Sequence, residues 1–145
     1  MLAGWLKRLE PVHVATTAEE REGIYRFRYS VYVDELGYGV PGADHEAKRV
    51  HSPDDDADFI THLYTGTSDA MTGVLTMTCW GAGSEVPAYD FRLLSMDRFP
   101  GISQLNCCEL GRFMIHPSAR GKLILPSLAA TAIDILLYEK QMDLV

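Results

Sequence analysis

Apolar and polar residues alternate or recur along this chain in a way that predicts a short strand, a helix, three more strands and a closing helix. Near the start, Val12 and Val14 flank His13 within Pro11 to Ala15, as in a strand with one buried face. Thr17 and Glu20 then have the spacing of a capping box. Behind that cap, Ile24, Phe27, Val31 and Leu36 lie near helical spacing and predict a helix from Ala18 to Leu36. Gly37 and Gly39 end it, because glycine accepts the left-handed conformation of a helix C-terminus. Phe59 to Thr65 and Thr72 to Trp80 are β-rich runs joined by Gly66-Thr67-Ser68-Asp69, which signals a hairpin. Leu105 to His116 is apolar apart from Glu109, Gly111 and Arg112, as expected of a strand covered on both faces. Leu128, Ile133, Ile135, Leu136 and Leu137 surround most of a last helix reaching Lys140, so that helix should be buried. Proline is tolerated only in a first turn, so Pro126 puts its start near Leu125.

The stretches between are less regular. Gly37 to Asp58 carries Gly37, Gly39, Pro41, Gly42 and Pro53 among many charges and has no periodicity that would hold a core. It reads as a long loop or broken helix, either a functional loop or a solvated acidic one. Gly81 to Ser84 forms a loop, and Phe91 to Met96 a short helix broken by Phe99-Pro100-Gly101.

The junction of the fourth strand with the last helix carries the clearest chemistry. Pro117 to Lys122 is a basic turn feeding a helix, whose first N–H groups lack intrahelical partners and bear the positive end of the macrodipole. A phosphate would sit there beside Arg120 and Lys122. Upstream, Glu109 and Arg112 are three residues apart and point to opposite faces unless a bulge intervenes.

Composition narrows the function classes. At 145 residues the chain is one domain by length, and 20 acids against 13 bases, a net charge of -7, exclude binding to bulk nucleic acid. Cys79, Cys107 and Cys108 make no even disulfide framework, and a reducing cytoplasm fits them best. The N-terminal MLAGWLKRLEP lacks the continuous apolar run of a leader or a membrane span. It reads as an amphipathic cover for the core, with peripheral membrane contact as the alternative. His45, His51 and Asp54 to Asp56 match no metal-binding pattern, so no metal is expected. Cys107 or Cys108 with His116 as a nucleophile and base gives way to the commoner role of free cysteine as packing.

Two motifs in order resemble a known family. His116-Pro117 followed by Ala119-Arg120-Gly121 resembles the acyl-donor motif of the GNAT acyltransferase superfamily. Glu109-Leu110-Gly111-Arg112-Phe113 is similar to the Glu-x-x-Arg-Phe signature of its autoinducer-synthase and long-chain N-acyl amino acid synthase branch, and Arg28 to Tyr38 is similar to that branch's Arg-x-x-Val-Phe-x-x-Glu-Leu-Gly-Trp/Tyr run. The resemblance implies an α/β (α+β) fold with a mixed, mostly antiparallel central sheet flanked by helices. In the resembled fold a fifth strand, another helix and two more strands follow. The expectation is therefore one GNAT-like domain over residues 1–145, incomplete at its C-terminus and covered there by a partner or a second copy.

The resemblance further implies an N-acyltransferase with no permanently bound cofactor. It would move a fatty acyl group from a phosphopantetheine thioester, on acyl carrier protein or coenzyme A, to a small amine such as an amino acid. Glu109 is the candidate base, and its alternative is an orienter paired with Arg112 or Arg28. Arg28, Glu35, Tyr38, Asp56 and Arg112 are expected on the acceptor side, and Met114, Ile115, Arg120, Gly121 and Lys122 on the donor side. The two arginines suit a carboxylate through forked hydrogen bonds, or else pair structurally with Glu35 and Glu109.

Two departures from the family pattern matter. Thr76 stands where relatives carry arginine in the third strand, and Leu123 and Leu125 stand where the donor loop usually has small residues. Those leucines impede the close backbone approach of a pyrophosphate, which favours a carrier-protein donor with a single phosphate. Coenzyme A-dependent acetyl transfer and a GNAT-like binding module without catalysis stay open as alternatives.

Overall fold

The computed structural model describes residues 10–84 and 95–143. The N-terminal amphipathic segment and most of the short helix expected at Phe91 to Met96 lie outside them. The first strand, β1, is Val12–Val14. Thr17 then caps helix α1, Ala18–Tyr29, through the expected box: the Thr17 hydroxyl accepts from the Glu20 amide and the Glu20 carboxylate accepts from the Thr17 amide. That carboxylate also accepts from Thr16 and from the Tyr64 hydroxyl, and these bonds hold its pKa down at about 2.

The expected helical run to Leu36 changes hydrogen-bond pattern part-way. After Tyr29 it continues as a π-helical segment, Ser30–Glu35, and Gly37, at φ +66°, closes it in the left-handed conformation. Strands β2, Ile60–Thr67, and β3, Ala70–Trp80, follow. Their turn is only Ser68 and Asp69; Gly66, at φ +88°, sits inside β2 at a break in register and so belongs to a bulge. Strand β4 is Cys107–Ile115, and helix α2, Ile124–Asp134, runs on as a π-helical segment to Glu139. Pro126 lies in the first turn of α2, where its missing N–H costs nothing.

The strands form one antiparallel sheet in the order β1-β2-β3-β4. A helix covers each face. Leu63, Leu75, Met77, Cys79 and Cys108 pack against α2, while Tyr64, Val74 and Met114 pack against Ile24, Tyr25 and Phe27 of α1. The fold is thus the mixed α/β arrangement expected, with a helix-sheet-helix sandwich at its centre. At the far end, the Asp143 amide donates to the Asn106 carbonyl and the Asp143 carboxylate accepts from the Asn106 amide, which brings residue 143 beside the start of β4.

The loop between α1 and β2 is anchored, contrary to a wholly solvated acidic loop. The Val50 amide donates to the Tyr25 carbonyl at 3.0 Å, Asp44 and Arg49 exchange backbone hydrogen bonds, and both Val50 and Asp55 are buried. The burial of Asp55 bears directly on the site.

Close docking of α2 depends on Gly73. A Cβ there would lie 2.5 Å from Ile124 Cγ2 and 3.1 Å from Leu128 Cδ1, both on buried side chains of α2. Ile124 is β-branched and cannot easily turn away. Gly73→Ala is expected to cost about 1–3 kcal/mol of stability through overpacking, seen as a lowered midpoint in thermal or urea denaturation. An unchanged midpoint would show that the helix shifts freely over the sheet.

Candidate active site

A bulge in β4 builds the site. Val74 pairs with Met114 and Thr76 with Gly111, so Leu75 alone stands opposite both Arg112 and Phe113. Arg112 takes φ +49°, rare for a residue with a side chain, and the extra residue resets the alternation. Glu109, Gly111 and Arg112 therefore line the same small cavity, of about 140 Å³, with Thr76, Thr78 and Asp55. Gly111 supplies room for the acid: a Cβ at that position would be 2.8 Å from Glu109 Oε1.

Asp55 ties the cavity wall together. It is 2% exposed and receives Arg28 Nη1 at 2.6 Å on one carboxylate oxygen and Arg112 Nη1 on the other. The Ser52 amide adds a third bond at 2.6 Å. Burial by itself would raise the Asp55 pKa, but Arg28, the Ser52 amide and Arg112 outweigh it and hold the carboxyl below its usual range. Arg28, 1% exposed, also donates from Nη2 to the Thr76 hydroxyl at 3.0 Å. Burial lowers its pKa and Asp55 opposes that; an arginine so paired stays charged.

His62 completes this buried layer. Its Nε2 lies 3.1 Å from the Asp55 carbonyl, which only accepts, so Nε2 carries the proton; Nδ1 then accepts from the Thr76 hydroxyl at 3.1 Å. Burial first, and the Arg28 cation second, push the His62 pKa down to about 4, so the ring is neutral at ordinary pH.

A second cavity opens on the other side of Glu109. Its volume is about 700 Å³, and Trp80, Met96, Phe99, Ile102, Leu105 and Leu110 make it largely apolar. Glu109 thus stands between a polar cavity lined by Arg112 and a larger apolar one.

This geometry meets an independent comparison. Residues 27–130 match the family model of the acetyltransferase (GNAT) domain, which is more than half of the chain. The chain belongs to the GNAT family. No curated protein and no solved structure matched it. A GNAT domain makes this an N-acyltransferase, which joins an acyl donor to an amine acceptor; GNAT enzymes take acyl-coenzyme A as co-substrate and hold no permanent cofactor. Among the described residues, no helix is long and apolar enough to cross a membrane.

Within this GNAT domain the expected acceptor residues separate. Glu109 and Arg112 come together, whereas Arg28 is sealed behind Asp55 and acts on the site through it. Its buried carboxylate partner is Asp55, where pairing with Glu35 or Glu109 was the expected structural alternative. Asp56 turns outward to the Tyr25 hydroxyl, His51 and Arg21, and its neighbour Asp55 takes the interior place. Tyr38 is 58% exposed and stacks on Tyr32, and neither Tyr38 nor Glu35 lines the polar cavity.

The donor turn keeps its expected form with one added lock. Pro117–Ala119 is a 3-10 turn whose Ser118 amide donates to His116 Nδ1, and Gly121, at φ +85°, takes a conformation open mainly to glycine. Arg120, read as a phosphate ligand, makes a fork to Glu35 at 2.6 and 2.7 Å, and Lys122 is exposed. Met114 is buried under α1 and Ile115 packs on the α2 side, so what these two offer a donor is their backbone. Asp55 and His62 were the residues hardest to find. The signal was Asp55-Asp56 followed by His62, which resembles the family's acidic residue ahead of its second strand, and it does not say which acid turns inward.

The buried His62 sets a pH dependence with a definite sign. Its pKa is about 4 in the folded chain against 6.5 unfolded, so the unfolded chain binds more protons between those values. Stability from this group is full above pH 6.5 and falls as pH is lowered toward 4, by on the order of 3 kcal/mol. Urea denaturation from pH 7 to pH 4 measures it, and His62→Gln is expected to flatten the slope.

Proposed function

We propose that this GNAT enzyme transfers a long-chain acyl group from the phosphopantetheine thioester of an acyl carrier protein to the amine of an amino-acid-like acceptor, as autoinducer and N-acyl amino acid synthases do. The observation that carries the reading is the placement of Glu109 between the polar cavity with Arg112 and the apolar cavity of about 700 Å³. An acetyl group needs little of that volume, whereas a fatty chain would fill it.

The chemistry follows from charge placement. Arg112 is 38% exposed and offers donors beyond the one given to Asp55, enough to receive a carboxylate in a fork. An acceptor carrying both carboxylate and ammonium would then bring its amine toward Glu109, which takes the proton directly or through a water. The neutral amine attacks the thioester carbonyl, and the bulge leaves a backbone amide out of the ladder for the developing oxyanion. No covalent enzyme intermediate is needed. Collapse of the tetrahedral species expels the phosphopantetheine thiolate, which leaves with a proton as the thiol.

The donor turn favours a carrier protein. Leu123 and Leu125 are 46% and 49% exposed at the start of α2, in the way of a pyrophosphate. The fork between Arg120 and Glu35 is solvent-facing and so worth about 0–1 kcal/mol; a single phosphate can displace the carboxylate at little cost.

Purified protein incubated with C2 to C16 acyl groups on carrier protein and on coenzyme A, with mixed amino acids, tests this by mass spectrometry. N-acyl amino acids formed preferentially from long-chain carrier donors are expected; product from acetyl-coenzyme A alone would overturn the reading. Glu109→Gln is expected to lower kcat about 10²–10⁴-fold with donor KM little changed. Arg112→Ala should raise acceptor KM, and Arg112→Lys should not restore it, because lysine lacks the planar fork.

A further inference from the structure

We propose that Cys79 and Cys108 form a redox-active pair that a hydroperoxide closes into a cross-strand disulfide beside Glu109. The two residues are direct partners on β3 and β4, both buried, with their sulfurs 2.9 Å apart, within about an ångström of the ~2.0 Å S–S bond. Neighbouring hydrogen bonds show which kind of rung they occupy. The Cys79 amide donates to the Phe59 carbonyl, which precedes β2, so its backbone polar groups point toward β2 and away from β4. The Cys79–Cys108 rung is therefore non-hydrogen-bonded, the kind with Cα atoms ~4.5 Å apart and side chains closest, within the span a disulfide bridges. Both thiols are free in this structure.

The pair is reachable from one side. Cys108 lines the apolar cavity of about 700 Å³, which admits a small peroxide, and Cys79 lies behind it. In the first step the Cys108 sulfur attacks the O–O bond of hydrogen peroxide; the thiol proton leaves with the displaced hydroxide as water, and Cys108 becomes a sulfenic acid. In the second, the Cys79 sulfur attacks the Cys108 sulfur and hydroxide leaves, taking the Cys79 proton as a second water. Two thiols are oxidised to one disulfide while one peroxide is reduced to two waters. Cys107 also lines this cavity, but it packs on the opposite side of β4 with Trp80 and Ile102 and pairs with Trp80, so it is not placed against Cys79. The next rung of the ladder is Thr78 with Glu109, so the link would form one residue from the candidate base.

The folded, reduced protein treated with a few equivalents of hydrogen peroxide, then unfolded in an alkylating reagent and digested, tests the proposal by peptide mass. The expected result is a cross-linked pair of peptides carrying Cys79 and Cys108, about 2 Da lighter than their sum, with Cys107 alkylated and the link lost in dithiothreitol. Cys107→Ala should give the same link. In Cys79→Ala, a 1,3-dione probe should trap a sulfenic acid on Cys108. Three alkylatable thiols after peroxide, or a link or trapped sulfenic acid carried by Cys107, would overturn it; the mapping of unsubstituted protein needs no variant to fold.

Discussion

One buried carboxylate organises this molecule. Asp55 lies in the loop before β2 and meets Arg28 from α1 and Arg112 from the β4 bulge. Taking such charges out of water costs several kcal/mol per ion, a cost offset only because both oxygens and two guanidinium nitrogens find partners. Loss of either side would leave a buried charge uncompensated, at about 3–5 kcal/mol. The carboxylate therefore determines where the loop lies, how α1 sits on the sheet and which way Arg112 points. His62 and Thr76 close the layer beneath it, Thr76 accepting from Arg28 and donating to the ring, and burial together with the nearby Arg28 cation keeps the imidazole uncharged.

The same arrangement explains the threonine in the third strand. An arginine at position 76 would bring a third cation against Arg28 and Arg112 with only Asp55 between them. Here Arg28 reaches across from α1 and donates to the Thr76 hydroxyl, so a cation already occupies that side of the sheet. Thr76 is a hydrogen-bond acceptor for that cation, and the cation lining the polar cavity beside it is Arg112. Cations from segments far away in sequence, Arg28 and Arg112, thus stand on either side of Asp55 where the family pattern has an arginine on the third strand.

What could be read from the chain and what could not divide along the range of the interactions. The Thr17 capping box, the positions of β2, β3 and β4, and the first-turn Pro126 are local features that the structure shows within a few residues. Adjacent Asp55 and Asp56 have the same local chemistry, and only packing against Arg28, 27 residues away, selects the first. The fork between Arg120 and Glu35 spans 85 residues, and no spacing rule pairs them. Alternation along β4 put Glu109 and Arg112 on opposite faces; the positive φ of Arg112 reverses that, and nothing in the residue type announces it.

Glu109 shows how these long-range choices bear on chemistry. A carboxylate on an edge of apolar surface is poorly solvated, and one beside a guanidinium is stabilised as the anion; a base needs a balance between the two. Asp55 takes one Arg112 hydrogen bond for itself and so balances part of that cation's charge. Gly111 lets the acid lie close along the strand, with the polar cavity on one side and the apolar cavity on the other. The network around Asp55 thus leaves Arg112 shared, and in the proposed reaction a shared cation would bind an acceptor carboxylate without disabling Glu109 as the base.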